Sequence, residues 1–259
     1  MDIDVQKSKR IHAFTNDDVL SDFDAVKISE LLRNKEISVS EVVQASVDRA
    51  KKVNPQLNAI VSECFENALI QPKFSINRTF SGIPFFFKDN IDYAGLPSLH
   101  GSKAIKNNDI NKNPKLSQQL LDQGFIVLGK SALPEFGLNA STEFKDGSAT
   151  INPWHSDYSC GASSGGSAAL VAAGVVSIAH ANDGGGSIRI PAACCGLVGL
   201  KPSRGRTLDS DASKVLPINI ISEGVVTRSV RDTAYFFAEM EKSFSNPKLA
   251  KIGLIKHTS

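Results

Sequence analysis

The chain has 259 residues, with 29 Lys+Arg against 27 Asp+Glu, a formal net charge of +2 and 41% hydrophobic residues. This length can bury a sizeable core, and the near-neutral charge gives no electrostatic case for a dedicated nucleic-acid binder. The most apolar tract, Ala168 to Ala181, is broken by Gly174, Ser177 and His180 and falls short of the ~20 apolar residues a membrane span requires.

The first residues, Met1-Asp2-Ile3-Asp4-Val5, lack the basic-then-apolar layout of a secretory signal, and Lys7 to Arg10 reads as a solvated N-terminus. Asp24 is placed to cap a helix carrying Val26, Ile28, Leu31 and Leu32. Ser38-Val39-Ser40-Glu41 fits a capping box, with Val43, Val47 and Ala50 at helical spacing behind it, and Asn54-Pro55 is expected to stop that helix. Strands are predicted over Leu57 to Ser62 and over Ile83 to Lys88. Lys115 to Gln123 reads as a helix closed by Gly124, with Phe125 to Leu128 following as a strand and Ser229 to Glu241 as a later helix. Lys251 to Ile255 reads as a strand just beginning, so the chain looks cut short at Ser259. The fold class expected is α/β, a mixed β-sheet core surrounded by helices in one domain over residues 1–259.

Cys64, Cys160, Cys194 and Cys195 have no metal-type spacing and read as free thiols in a reducing cytoplasm. His12, His100 and His155 read as surface or structural, since none has a ligand-spaced partner, and no metal site is expected. Asn77-Arg78-Thr79 matches a glycosylation acceptor that has no meaning without a secretory signal.

Between Ala149 and Leu200 the composition changes: 52 residues carry only three charges (Asp157, Asp183, Arg189) but nine of the 19 glycines. Few charges imply burial, and many glycines imply close backbone approaches, so a site belongs here. Two formal matches fail on context. Gly124 to Ser131 fits G-x-x-x-x-G-K-[ST], but its variable positions are themselves strand residues, which cannot wrap a phosphate while paired in a sheet. Gly161 to Gly165 fits G-x-S-x-G, but the segment before it, Asn152 to Cys160, is polar rather than an apolar strand, and no His follows in a suitable context.

Gly184-Gly185-Gly186-Ser187 survives. Consecutive glycines can turn successive N–H groups toward one point, as an oxyanion hole requires, with a serine in reach of the carbonyl they hold. A serine nucleophile needs a base, and Lys88, after Ile83-Pro84-Phe85-Phe86-Phe87, has the desolvating approach that lowers a lysine pKa. Asp89 stands beside it, and a salt bridge between the two would keep the amine charged. The alternative for Lys88 is a strand-end lysine reaching to solvent.

Ser163-Ser164-Gly165-Gly166-Ser167, Asn182 to Pro191, Cys195 to Pro202, and Ile83-Pro84 through Lys88-Asp89-Asn90 together resemble the amidase signature family. The resemblance runs from about Ile28 to the C-terminus. It implies Ser187 as acyl-forming nucleophile, Ser163 as a bridging serine held by a cis peptide, and Lys88 as terminal base. Amides of Gly184, Gly185, Gly186 and Ser187 would form the oxyanion hole, braced by Asp183 and Arg189, with Ser164 supporting its neighbour. No cofactor is required. Ala162 stands where many members have glycine, and members of ~450 residues imply that the distal C-terminal part is absent, leaving an isolated chain poorly soluble or weakly active.

The run from Ala179 through Arg206 is most similar to the branch containing aminohexanoate cyclic-dimer hydrolase, which favours a small or cyclic carboxamide and a serine acyl-enzyme. Two alternatives stay open: an amidotransferase A-subunit-like component acting on a glutaminyl amide with a partner subunit, and an inactive truncated remnant. The partners expected are a small-molecule amide, with neither nucleic acid nor membrane, and a homodimer is left open.

Overall fold

The computed structural model describes residues 10–70, 78–106, 110–211, 213 and 217–242. The predicted strand at Lys251 to Ile255, Lys7 to Lys9 and Asn77 lie outside the described residues.

Helix α1 (Ala25–Arg33) starts where Asp24 accepts the Lys27 N–H, and α2 (Val39–Leu57) starts on a complete capping box between Ser38 and Glu41. Pro55 does not stop α2 but lies inside its last turn. A proline there removes one late hydrogen bond, and the polar groups beyond it find partners. Asn58 adopts a left-handed conformation and donates to the Asn54 carbonyl, while Asn54 Oδ1 accepts the N–H groups of Ala59 and Ile60. The next strand therefore begins at Ile60 rather than Leu57.

Strands β1 (Ile60–Glu63), β2 (Pro84–Lys88) and β3 (Ile126–Ser131) form one sheet in the order β1-β3-β2. The β1–β3 pair is antiparallel and the β2–β3 pair parallel, so the sheet is mixed. Between them lie α3 (Phe65–Ile70) and α4 (Lys115–Leu121), the latter followed by Gly124 at φ 92°. Strand β3 extends to Ser131, so Gly129, Lys130 and Ser131 are strand residues in register with both neighbours. That pairing leaves no phosphate loop.

Helix α5 (Gly165–Ala172) leads into β4 (Ile178–Asp183), then α6 (Arg189–Cys194), β5 (Val198–Gly199), β6 (Ser222–Thr227) and α7 (Val230–Lys242). These strands form a second, antiparallel sheet in the order β4-β6-β5 rather than joining the first ladder. The two sheets meet where β2 lies against β4. The class is α/β, with sheets surrounded by helices.

Every residue of β2 is buried, as expected for a strand covered on both faces. Phe85 and Phe87 enter one apolar cluster with α1, α4 and α7, and Phe86 enters the other with α2 and α5. Phe85 and Phe80 stack on Phe125 at centroid separations of 4.3 and 4.9 Å. This packing carries Lys88 into the interior at the strand's end. The four cysteines are free. Among the described residues no helix is long and apolar enough to cross a membrane.

Candidate active site

Lys88 is 0% exposed. Its Nζ lies 2.7 Å from Ser163 Oγ and 2.7 Å from Asn182 Oδ1, both neutral oxygens. Burial draws its pKa down to about 7, against the opposing pull of the Glu223 and Asp183 carboxylates. Asp89 does not pair with it. That carboxylate faces Lys130 Nζ at 3.8 Å and accepts the Leu99 N–H, while its own backbone N–H donates to the Ser131 carbonyl. The salt bridge that would have kept Lys88 charged is thus made by a different lysine.

Ser163 follows a cis peptide bond from Ala162 and stands just before α5. The turn into α5 presses on β3: a Cβ at Gly166 would lie 2.3 Å from the Ala132 amide nitrogen, so only glycine permits this approach. Ser164 N–H donates to the Ser187 carbonyl at 3.3 Å, which brings the two serine segments together. Ser164 Oγ makes only a long bond, 3.4 Å, to the Asn182 carbonyl. Ser187 itself is half-buried, on the loop between β4 and α6.

Asp183 closes β4 and organises that loop. Its carboxylate accepts the N–H groups of Gly186 (2.7 Å), Ile188 (3.2 Å) and Arg189 (3.3 Å), and the Arg189 guanidinium binds it at 2.8 and 3.0 Å. Burial works to raise the Asp183 pKa, but Arg189 and the loop amides outweigh it and hold the carboxyl below the usual range. One of the four amides expected to form an oxyanion hole has an internal partner. The Gly186 N–H already serves Asp183, and Gly185 is exposed.

Three residues of the site escaped sequence reasoning. His180 and Asn182 share one face of β4, and Glu223 is the register partner of Asn182 on β6. Asn182 accepts from Lys88 Nζ and exchanges amide hydrogen bonds with Asn90 at 3.3 and 3.4 Å. His180 Nδ1 faces the Lys88 backbone N–H at 3.4 Å, and its Nε2 faces Glu223 Oε2 at 3.1 Å. The sequence signal was the presence of polar residues in otherwise apolar strands, with Asn182 also opening one of the motifs that carry the family resemblance. No group of three or more His, Cys, Asp or Glu side chains suited to a metal ion occurs among the described residues.

The Amidase family profile matches residues 41–252. The chain is 48% identical over 246 residues to "Putative amidase AmiC" of Mycobacterium tuberculosis (strain ATCC 25618 / H37Rv), a match covering 94% of this chain and 52% of that protein. It is 38% identical over 218 residues to 6-aminohexanoate-cyclic-dimer hydrolase of Paenarthrobacter ureafaciens, covering 82% and 44%. The fold superposes on the 6-aminohexanoate cyclic dimer hydrolase structure complexed with substrate with a TM-score of 0.74 at 35% identity, covering 84% of this chain and 46% of that one. A bacterial aryl acylamidase of the amidase signature enzymes gives 0.75 at 32% identity, covering 86% and 49%. The chain spans about half the length of the curated relatives it matches. With the profile covering most of its residues, the chain belongs to the amidase signature family.

Proposed function

We propose that this chain carries the catalytic core of an amidase that hydrolyses a carbon–nitrogen amide bond of a small or cyclic carboxamide through a serine acyl-enzyme. The observation that carries the reading is the buried Lys88 amine, held at 2.7 Å from Ser163 Oγ with a pKa near 7. A neutral amine has one lone pair and two N–H donors. With one N–H directed to Asn182 Oδ1, the lone pair is free to take the Ser163 proton.

Ser187 Oγ then attacks the amide carbonyl as its proton passes to Ser163 and the Ser163 proton passes to Lys88. The amides of Gly184, Gly185 and Ser187 stabilise the resulting oxyanion. Return of the proton along the same path protonates the departing nitrogen, the C–N bond breaks, and a Ser187 ester remains. Water, deprotonated by the same relay, hydrolyses that ester. In this reading Asp183 and Arg189 keep the glycine loop in shape, and Ser164 ties the Ser163 segment to the end of β4. The identity to a cyclic-dimer hydrolase supports the choice of a small or cyclic amide.

A fluorophosphonate probe tests the assembled site. It is expected to label Ser187 in the folded chain and to leave Ser187→Ala and Lys88→Met unlabelled. A folded chain that resists the probe across pH 6 to 10, or that labels equally well as Ser187→Ala, overturns the reading.

A further inference from the structure

The relay just described uses neither His180 nor Glu223, yet both are almost completely buried beside Lys88, at 0% and 3% exposure. A buried carboxylate is costly unless something offsets it. Glu223 Oε2 meets His180 Nε2 at 3.1 Å, and His180 Nδ1 faces the Lys88 backbone N–H at 3.4 Å. Because Nδ1 faces a donor, it accepts there, and Nε2 is the ring nitrogen directed at the carboxylate. The link spans the junction between the sheets, with β2 on one side and β4–β6 on the other. On the other side of the histidine, Ser167 Oγ donates to the His180 carbonyl at 2.6 Å, so its backbone is fixed as well.

We propose that Glu223, acting through His180, is a positioning residue for Lys88: the pair fixes the end of β2 against β4 and supplies the negative field that keeps the buried amine basic enough to accept a proton. The inference rests on Lys88 serving as the base. The charged and titratable groups around the amine have distinct tasks. Asp183, at the end of β4, is committed to Arg189 and the loop amides; Asp89, on the far side of β2, is committed to Lys130; Ser163 and Asn182 are uncharged. Glu223 is therefore the carboxylate whose field falls on Lys88 without a cationic partner of its own among these groups. Without it, desolvation acts against Asp183 alone, and the ammonium form loses support.

The test titrates Lys88 directly in the full chain by NMR of 13Cε-labelled lysine, assigned with Lys88→Met, in wild type, Glu223→Asp and Glu223→Gln. Removing a nearby negative charge disfavours the ammonium, so the Lys88 midpoint is expected to fall by about one pH unit in Glu223→Gln. In Glu223→Asp, whose carboxylate is drawn back by one methylene, the fall is smaller. The acid limb of fluorophosphonate labelling moves down in the same order, and His180→Ala loses labelling at least tenfold with the fold intact by circular dichroism. Coincident Lys88 titrations, or an upward shift in Glu223→Gln, overturn the proposal. If Glu223→Gln does not fold, the comparison of Glu223→Asp with wild type decides alone. An unlabelled wild type would count against the amidase reading, whereas the NMR titration reads the Glu223 field regardless.

Discussion

The Asp89 carboxylate faces Lys130 Nζ at 3.8 Å across the parallel β2–β3 pair, although its sequence neighbour is Lys88. Asp89 lies one residue past the end of β2, and the two side chains take different partners: Lys88 Nζ meets Ser163 and Asn182, while Lys130 reaches Asp89 from β3. Lys130 Nζ also donates to Ser98 Oγ at 2.5 Å. Burial raises the Asp89 pKa to about 6 and lowers that of Lys130 to about 8, each against the attraction of the other.

Removing one partner strands the other, so Lys130→Met is expected to cost about 3 to 5 kcal/mol at pH 8. Asp89 has a folded pKa raised above its unfolded value, so its charge burdens the fold increasingly as pH climbs from about 4 through 6. The loss in Lys130→Met should therefore be smaller at pH 5, where Asp89 is protonated, and Asp89→Asn in the same chain should restore much of it. Urea denaturation at both pH values checks this. A loss below about 1 kcal/mol at pH 8 would show that the pair does not matter.

Lys88 yields a prediction of opposite character. Its folded pKa of about 7 lies below the 10.5 of a lysine in water, so the unfolded chain binds an extra proton between those limits. Folding is penalised in full below pH 7, and the penalty fades as pH rises toward 10.5. Lys88→Met should therefore abolish labelling of Ser187 yet stabilise the chain at pH 7. The gain is about 2 kcal/mol, after part of the relieved penalty is offset by the two lost hydrogen bonds. Thermal unfolding should show an advantage at pH 7 that shrinks by pH 10; a variant less stable at both would contradict a neutral buried amine.

What could be read in advance divides along a physical line. Asp24, Ser38 with Glu41, and Gly124 act on backbone groups within a few residues of themselves, so their roles are written locally. The segment from Ala149 to Leu200 announced itself by missing charge and abundant glycine. Pro55 misled because an amide lost in a final turn is cheap once Asn54 caps the residues beyond it. Asn182, His180 and Glu223 were invisible for a different reason. Their meaning lies in register, Asn182 opposite Glu223, and in contacts with Lys88 more than ninety positions away in sequence.

The Asp183 carboxylate joins three loop amides to one guanidinium, and the loop carrying Ser187 depends on all four contacts. Asp183→Ala removes the acceptor and leaves three donors to find water in a buried place. We expect a destabilisation of about 2 to 4 kcal/mol and a loss of labelling of at least a hundredfold. Arg189→Ala should be milder, since its side chain is half exposed and the amides still bind Asp183. Equal effects from the two substitutions would mean that the ion pair, not the amide cradle, orders the loop.

The last prediction concerns the neutrality of position 182. Asn182 Oδ1 takes a hydrogen bond from Lys88 Nζ at 2.7 Å, and its own amide is satisfied by Asn90. Asn182→Asp keeps the shape and places a carboxylate where the carbonyl oxygen stood. An opposite charge at that distance raises a lysine pKa by about 1 to 3 units, so the amine would be almost wholly protonated at pH 7. Labelling of Ser187 should fall about 10- to 100-fold at pH 7 and recover as pH is raised toward 9, while Asn182→Ala, which adds no charge, keeps its acid limb near or below that of wild type. The direction of the limb is the decisive reading: upward for the carboxylate, as an ion pair demands, and downward for Glu223→Gln. If Asn182→Asp were to label at wild-type rate at pH 7, Lys88 could not be the base whose neutral form drives the relay.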